Sequence, residues 1–461
     1  MKRASIQRAV VSTLFALAAA AADGQTFPNV PATVDATAQS QENFNYGVCH
    51  GTDPGCYHNW GVARQKKVLL FTRTAGPRHA SLGTALPAGV NPALAANNKT
   101  QADMIRLLNA EGIAVDYTET VTNLSNLNQY MAVIFFSNSR DALWDHGRAV
   151  NPALAVSTTT SAYLDQSKVL LRQYMRAGGG FVAVHNAHGT EYNWPWYEGL
   201  LGNSNYYDHG NFQPGVMQVV AADSSTAPIG APGTRSQFSD EWYNLVPFPT
   251  DVKFLMSVDE STLATKRSVH PGFPSFHPVA WCQYYDGGRA WITTLGHDLR
   301  ATQDLSVAAN QQGGANYFAG SVEFQKLLVN GIKSAMGLQP FCETYKFSGF
   351  GGMNATAGST VEVDFGIAGN TSANPVVWVK SADASCTTSL PQGNFDTITG
   401  SVDAGSTLAG VLGQQGSFSV AGNGSSFHFN WKTDKTWAGT CRQLSMMLND
   451  GTLHNATYRF N

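Results

Sequence analysis

Four short, mostly apolar runs separated by helix-forming segments constrain this chain more than any other feature. They are Lys67–Phe71, Ile113–Tyr117, Ala132–Phe136 and Phe181–Val184. A strand that reads apolar without strict alternation is buried on both faces, as in a parallel sheet. Residues 101–111 carry Met104, Leu107 and Leu108 at helical spacing and stop at Gly112. Residues 162–176 predict a second helix, ending at Gly178-Gly179-Gly180. Strands alternating with helices imply parallel βαβ units and an open, doubly wound α/β sheet. Such sheets gather ligands at the carboxyl ends of their strands, here the loops after Phe71, Phe136, Val184 and Leu295. Further strands are expected near 216–221, 252–256, 278–284 and 290–295, with a closing helix at about 320–336.

Past Cys342 the helical period disappears. Short alternating segments such as Val361–Phe365, Phe427–Trp431 and Ala456–Phe460 take over, separated by Gly, Ser and Asn turns. They predict a small all-β, Ig-like sandwich. The reading divides the chain of 461 residues into a polar extension (25–65), an α/β domain (66–338) and a β-domain (342–461).

Residues 1–24 read as a signal peptide. Lys2, Arg3 and Arg8 precede an apolar stretch from Ala9 to Ala20, and Ala20-Ala21-Ala22 supplies small residues for cleavage. That stretch is too short to span about 30 Å of hydrocarbon, and no other segment qualifies. A secreted or periplasmic protein is the expectation. Export favours disulfides among the six cysteines. Domain assignment prefers Cys49–Cys56, Cys282–Cys342 and Cys386–Cys441 out of fifteen pairings. A zinc site at Cys49, His50, Cys56 and His58 is the alternative for the first pair. A net charge of -3 without a basic cluster argues against a nucleic-acid partner.

Several histidines and carboxylates fall at predicted strand ends. His185 follows a buried strand, and its loop carries His188, Glu191, Trp194, Trp196 and Tyr197. His297 and Asp298 follow another strand. Arg78-His79 lies after the first strand, Asp240, Glu241 and Tyr243 form a second cluster, and His277 enters a strand. His209 is the weakest candidate. Imidazole near neutral pH is suited to acid–base chemistry or metal ligation. His185 and His297 are read as the acid–base pair, with Glu191, Asp240 and Glu241 orienting them or holding a cation. His79, Trp194, Trp196, Tyr197, Tyr243, His277 and Asp298 are assigned to substrate. A divalent metal is one use of such a set, with His185, His188 and His209 as candidate ligands. No single spacing forms a metal motif.

On these clusters the chain resembles the ThuA-like (trehalose utilisation) family over about residues 66–338. The matching stretches are Arg78-His79, Gly179 to Tyr197, Asp240 to Asn244, His277 to Trp281, and Gly288-Arg289 leading to Leu295-Gly296-His297-Asp298. The resemblance implies a flavodoxin-like fold akin to class I glutamine amidotransferases, and a small-molecule carbohydrate partner: a disaccharide, a glycoside or an oxidised (3-keto) sugar. Where those amidotransferases place a nucleophilic cysteine at an elbow, this chain has His185, so thiolate chemistry is not expected. His297 matches their later histidine. The segment 342–461 resembles the PxKF-type β-domain of secreted bacterial proteins, through Tyr345–Phe350 and Trp431–Arg442, and that resemblance supports Cys386–Cys441. A carbohydrate-processing enzyme is the first expectation. A non-catalytic carbohydrate-binding or surface protein and a metal-assisted hydrolase are the alternatives.

Overall fold

The computed structural model describes residues 48–144, 166–265, 270, 272–273, 276–349, 352–368, 376–388, 396–397, 400–401, 421–422, 426–448 and 452–461. The signal peptide read for 1–24 lies outside them.

The main sheet is built from β1 (His50–Gly51), β2 (Gln65–Phe71), β3 (Ala114–Thr118), β4 (Tyr130–Phe136), β5 (Gly180–Val184), β7 (Gln213–Val219), β8 (Arg235–Asp240), β10 (Lys253–Asp259), β11 (His277–Tyr285) and β12 (Gly288–Thr293). A separate two-stranded ribbon pairs β6 (Tyr206–His209) with β9 (Tyr243–Leu245). The order across the main sheet is β3-β2-β4-β5-β12-β11-β10-β7-β8, with β1 on the side of β11. From β3 to β12 all neighbours are parallel. From β12 to β8 all are antiparallel.

The sheet is therefore mixed, with its parallel pairs confined to the half from β3 to β12. The cause is local. Asp286 and Gly287, between β11 and β12, have φ of 47° and 91°. Two positive-φ residues joining two strands make a tight hairpin, which forces antiparallel pairing.

Successive residues of β2 face opposite sides. Val68 and Leu70 pack with Met104 and Leu108 of α1 (Lys99–Ala110) and with Leu327 and Leu328 of α4 (Ser321–Ala335). Leu69 and Phe71 pack on the other side with Leu171 of α2 (Gln166–Arg176) and Trp196 and Leu200 of α3 (Pro195–Leu200). Two apolar layers on one sheet explain why the strands read as nearly continuous apolar runs.

The sheet also coils. Asp240 ends the edge strand β8, four strand spacings from β12. A flat sheet would put them about 19 Å apart, yet Asp240 Oδ2 accepts the Gly296 N–H at 2.7 Å. The antiparallel half curls over and brings its end to the carboxyl edge of the parallel half.

Residues 345–460 hold their own apolar cluster between two β-sheets. Strand Thr360–Ala368 alternates, with Val361, Val363, Phe365 and Ile367 buried and the residues between them exposed or half-buried. The three preferred disulfides all form: Cys49–Cys56, Cys282–Cys342 and Cys386–Cys441. That excludes the zinc alternative at Cys49 and Cys56 in this state. Among the described residues no helix is long and apolar enough to cross a membrane.

Candidate functional site

Three parallel strands end level with one another. Val184 of β5 pairs with Phe136 of β4 and with Thr293 of β12. The loops after β2, β5 and β12 consequently leave from one edge, and each carries a histidine inward: His79, His185 and His297.

His185 is the hub. It follows β5 directly with φ 52°, a left-handed conformation that costs a non-glycine residue roughly 1–3 kcal/mol. Strain at a strand end is a mark of positions held for function. Its Nδ1 donates to the Thr294 carbonyl at 2.9 Å, which leaves Nε2 bearing a lone pair. Around that atom stand His79 Nε2 at 3.1 Å, His297 Nδ1 at 3.3 Å, the Tyr243 hydroxyl at 2.9 Å and Glu241 Oε2 at 3.8 Å. Glu241 Oε2 also lies 3.1 Å from His297 Nδ1 and 3.5 Å from His209 Nε2. One ligand atom each from His79, His185, Glu241 and His297 falls within 4.8 Å of all the others, a group able to hold a metal ion.

The electrostatics follow from burial and proximity. Burial pushes His185 well below the usual imidazole range, and His79 and His297 push it further. His79 is pushed down to about 4, mainly by burial. At His297 burial opposes the charge, but the hydrogen bond and charge of Glu241 outweigh it and the pKa rises. At Glu241 burial is likewise outweighed, chiefly by His297, and its carboxyl falls below its ordinary value. The surroundings thus favour the neutral forms of His79 and His185 and the charged forms of His297 and Glu241.

Asp240 and Glu241 divide the work, as adjacent side chains must. Asp240 accepts from the backbone N–H groups of Gly296, His297 and Glu241 and shapes the loop that carries His297. Burial raises its pKa to about 7. Gly296 has φ 124°, which favours glycine there. Glu241 is the carboxylate that faces the histidines.

Residues 67–318 match the model of the ThuA family, described as trehalose utilisation. The chain belongs to the ThuA family. A search of curated proteins found no match. In this ThuA chain every member of the cluster, from His79 to His297, lies inside the matched stretch.

Other residues assigned to chemistry in the sequence have different partners in the ThuA structure. Glu191 is buried, with Oε1 accepting from Leu143 N–H at 2.8 Å and Oε2 paired with Lys168 at 3.1 Å. It fastens the 138–144 loop rather than facing the histidines. Trp194, Trp196 and Tyr197 are fully buried in the core under α3, so they offer no face to a substrate. The Trp196 indole donates to Asp286, and the Tyr197 hydroxyl to the Ala187 carbonyl. Asp298 caps the turn at 299–302 and holds Arg300 through both carboxylate oxygens. His188 is buried edge-on to Trp281 and is not in the four-residue group. His209 touches the group only through Glu241. The metal-ligand candidates therefore reduce to His185, joined by His79, His297 and Glu241.

His277 supports the site from behind. Its ring meets two acceptors, Glu260 Oε1 at 2.8 Å and the Tyr243 carbonyl at 2.9 Å. The buried pair Glu260–His277 thereby pins β9, whose Tyr243 hydroxyl enters the centre. Arg78 does the same for His79: its guanidinium binds Glu119 and the carbonyls of Leu82, Gly83 and Thr84. Sequence reasoning missed Glu260, and it missed Phe212, whose half-exposed ring lies 5.5 Å from that of His297 at the mouth of the site.

Proposed function

We propose that this chain is an exported carbohydrate-processing enzyme whose active centre is a divalent metal site formed by His79, His185, His297 and Glu241. The observation that carries the reading is the convergence of three imidazole nitrogens and one carboxylate oxygen within 4.8 Å. The donor set fits an ion. Two ligands each 2.0–2.1 Å from a tetrahedral metal are about 3.3–3.4 Å apart; His185 Nε2 lies 3.1, 3.3 and 3.8 Å from the ligand atoms of His79, His297 and Glu241, and the whole group falls within 4.8 Å. The Thr294 carbonyl fixes the His185 tautomer that turns its lone pair inward, as metal-bound histidines require.

A bound divalent ion would polarise a sugar carbonyl or lower the pKa of a water. The chain's own groups supply the rest. Burial, reinforced by Glu241 and Asp240, keeps the Tyr243 hydroxyl protonated and able to donate. Glu241, ionised, can accept a proton, and His209 links it to solvent. Phe212 offers an apolar wall to a sugar ring. Family membership supports the substrate class: a disaccharide, glycoside or oxidised (3-keto) sugar. The order of the five parallel strands, β3-β2-β4-β5-β12, supports a flavodoxin-like reading of that half, because numbering them one to five along the chain gives 2-1-3-4-5. Three disulfides support export. The two C-terminal sheets support an Ig-like appendage, of the PxKF type read from the sequence.

Incubation of the purified protein with disaccharides and 3-keto-glycosides, with and without chelator, tests the reading by mass spectrometry. A product that disappears with chelator is expected. Saturable sugar binding without product in any condition would replace the enzyme by a binding protein.

A further inference from the structure

The opposite edge of the sheet carries a second site. Met131 at the start of β4, Gly178 just before β5 and Arg289 at the start of β12 line a cleft of about 300 Å³ at the amino ends of the parallel strands. The five residues of β5 separate it from the histidine centre by about 17 Å.

Trp60 stands in this cleft 64% exposed, the most exposed of the large apolar side chains described. Its ring stacks on His58 with centroids 5.0 Å apart and planes 8° from parallel. His58 is itself anchored, through Nδ1 to the Arg176 carbonyl at 2.9 Å and through its backbone N–H to Gly287. The indole is thus a backed platform rather than a loose surface side chain.

Two guanidinium groups share the cleft. Arg64 binds the Ala177 carbonyl at 2.9 Å, while its Nε is shielded from solvent without a partner. Arg289 lies over the Tyr57 ring at 4.0 Å. A side chain at Gly337 would come within 2.6 Å of Arg289 Nη1, so glycine there leaves the guanidinium its room. Among the described residues neither arginine pairs with a carboxylate, in a chain of net charge -3.

We propose that this cleft binds an anionic sugar, a pyranose bearing a carboxylate or sulfate. The aromatic platform packs the C–H face of the ring, and the guanidiniums take the anionic group through charge-assisted hydrogen bonds. The volume is at the lower end of ligand sites, which suits one sugar residue.

Isothermal titration of the full chain with glucuronic acid, glucose 6-sulfate, glucose and sodium sulfate tests this. Saturable binding of an acidic sugar is expected, at least about tenfold weaker in Trp60→Ala and in Arg64→Gln and unchanged in His297→Ala. The two acidic sugars distinguish carboxylate from sulfate. No saturable binding of either acidic sugar overturns the proposal. So does equal binding of sodium sulfate, which would make it a plain anion site, or loss of binding in His297→Ala, which would place the sugar at the histidine centre.

Discussion

The Tyr243 hydroxyl lies 2.9 Å from His185 Nε2, and both residues are buried. Burial keeps the phenol protonated, so it holds a proton to donate beside the atom on which the centre converges. Tyr243→Phe retains the ring and its packing and removes only that donor. Turnover of the sugar substrate is expected to fall about 100-fold or more, with metal content and circular dichroism unchanged. Wild-type turnover in this variant would remove Tyr243 from the chemistry.

His277 makes a different prediction. It is the partner of a carboxylate that is itself 4% exposed. His277→Ala takes one hydrogen-bond partner from the buried Glu260 carboxylate, which keeps the Phe273 N–H, a loss worth about 1–3 kcal/mol. Urea denaturation should show that drop, and His277→Gln, which can still donate one hydrogen bond, should recover part of it. Stability within about 0.5 kcal/mol of wild type in the alanine variant would show that the pair holds nothing in place.

Acid should loosen the fold through His188. Burial lowers its pKa from 6.5 to about 3. The unfolded chain therefore takes up the proton first as pH falls. The stabilisation is complete above pH 6.5 and is lost progressively toward pH 3. At pH 5 this residue alone costs about 2 kcal/mol. A His188→Leu variant should lose that much less stability than wild type between pH 7 and pH 5, measured by denaturant titration at each pH. Equal losses in the two proteins would place the acid sensitivity elsewhere.

The parallel half of the sheet was legible because strands buried on both faces must be apolar throughout, and helix stops marked the crossovers. The antiparallel half was less so. Asp286-Gly287 is a hairpin signal in the sequence, but the apolar runs on either side of it also suit parallel strands. The aromatic run at 194–197 misled for a related reason. Composition does not distinguish a stacking platform from a core, and only the docking of α3 buries those rings. His79, His185 and His297 were each legible from strand-end position. Their meeting point depends on strand order, and the contribution of Glu241 depends on the coiling that brings the end of β8 over the centre. Glu260 and His277 lie 17 residues apart with no motif between them, so their pairing has no local signature.

One metal ion is expected among His79, His185, His297 and Glu241. The direct test is metal content by inductively coupled plasma mass spectrometry, after loading with zinc, manganese or iron(II) and removal of excess. About one ion per chain is expected in the wild type for at least one of these metals, and loss of that ion in His297→Ala, a partly exposed position where the fold should persist. No bound ion in the wild type from any of them, or full retention in the variant, would contradict it.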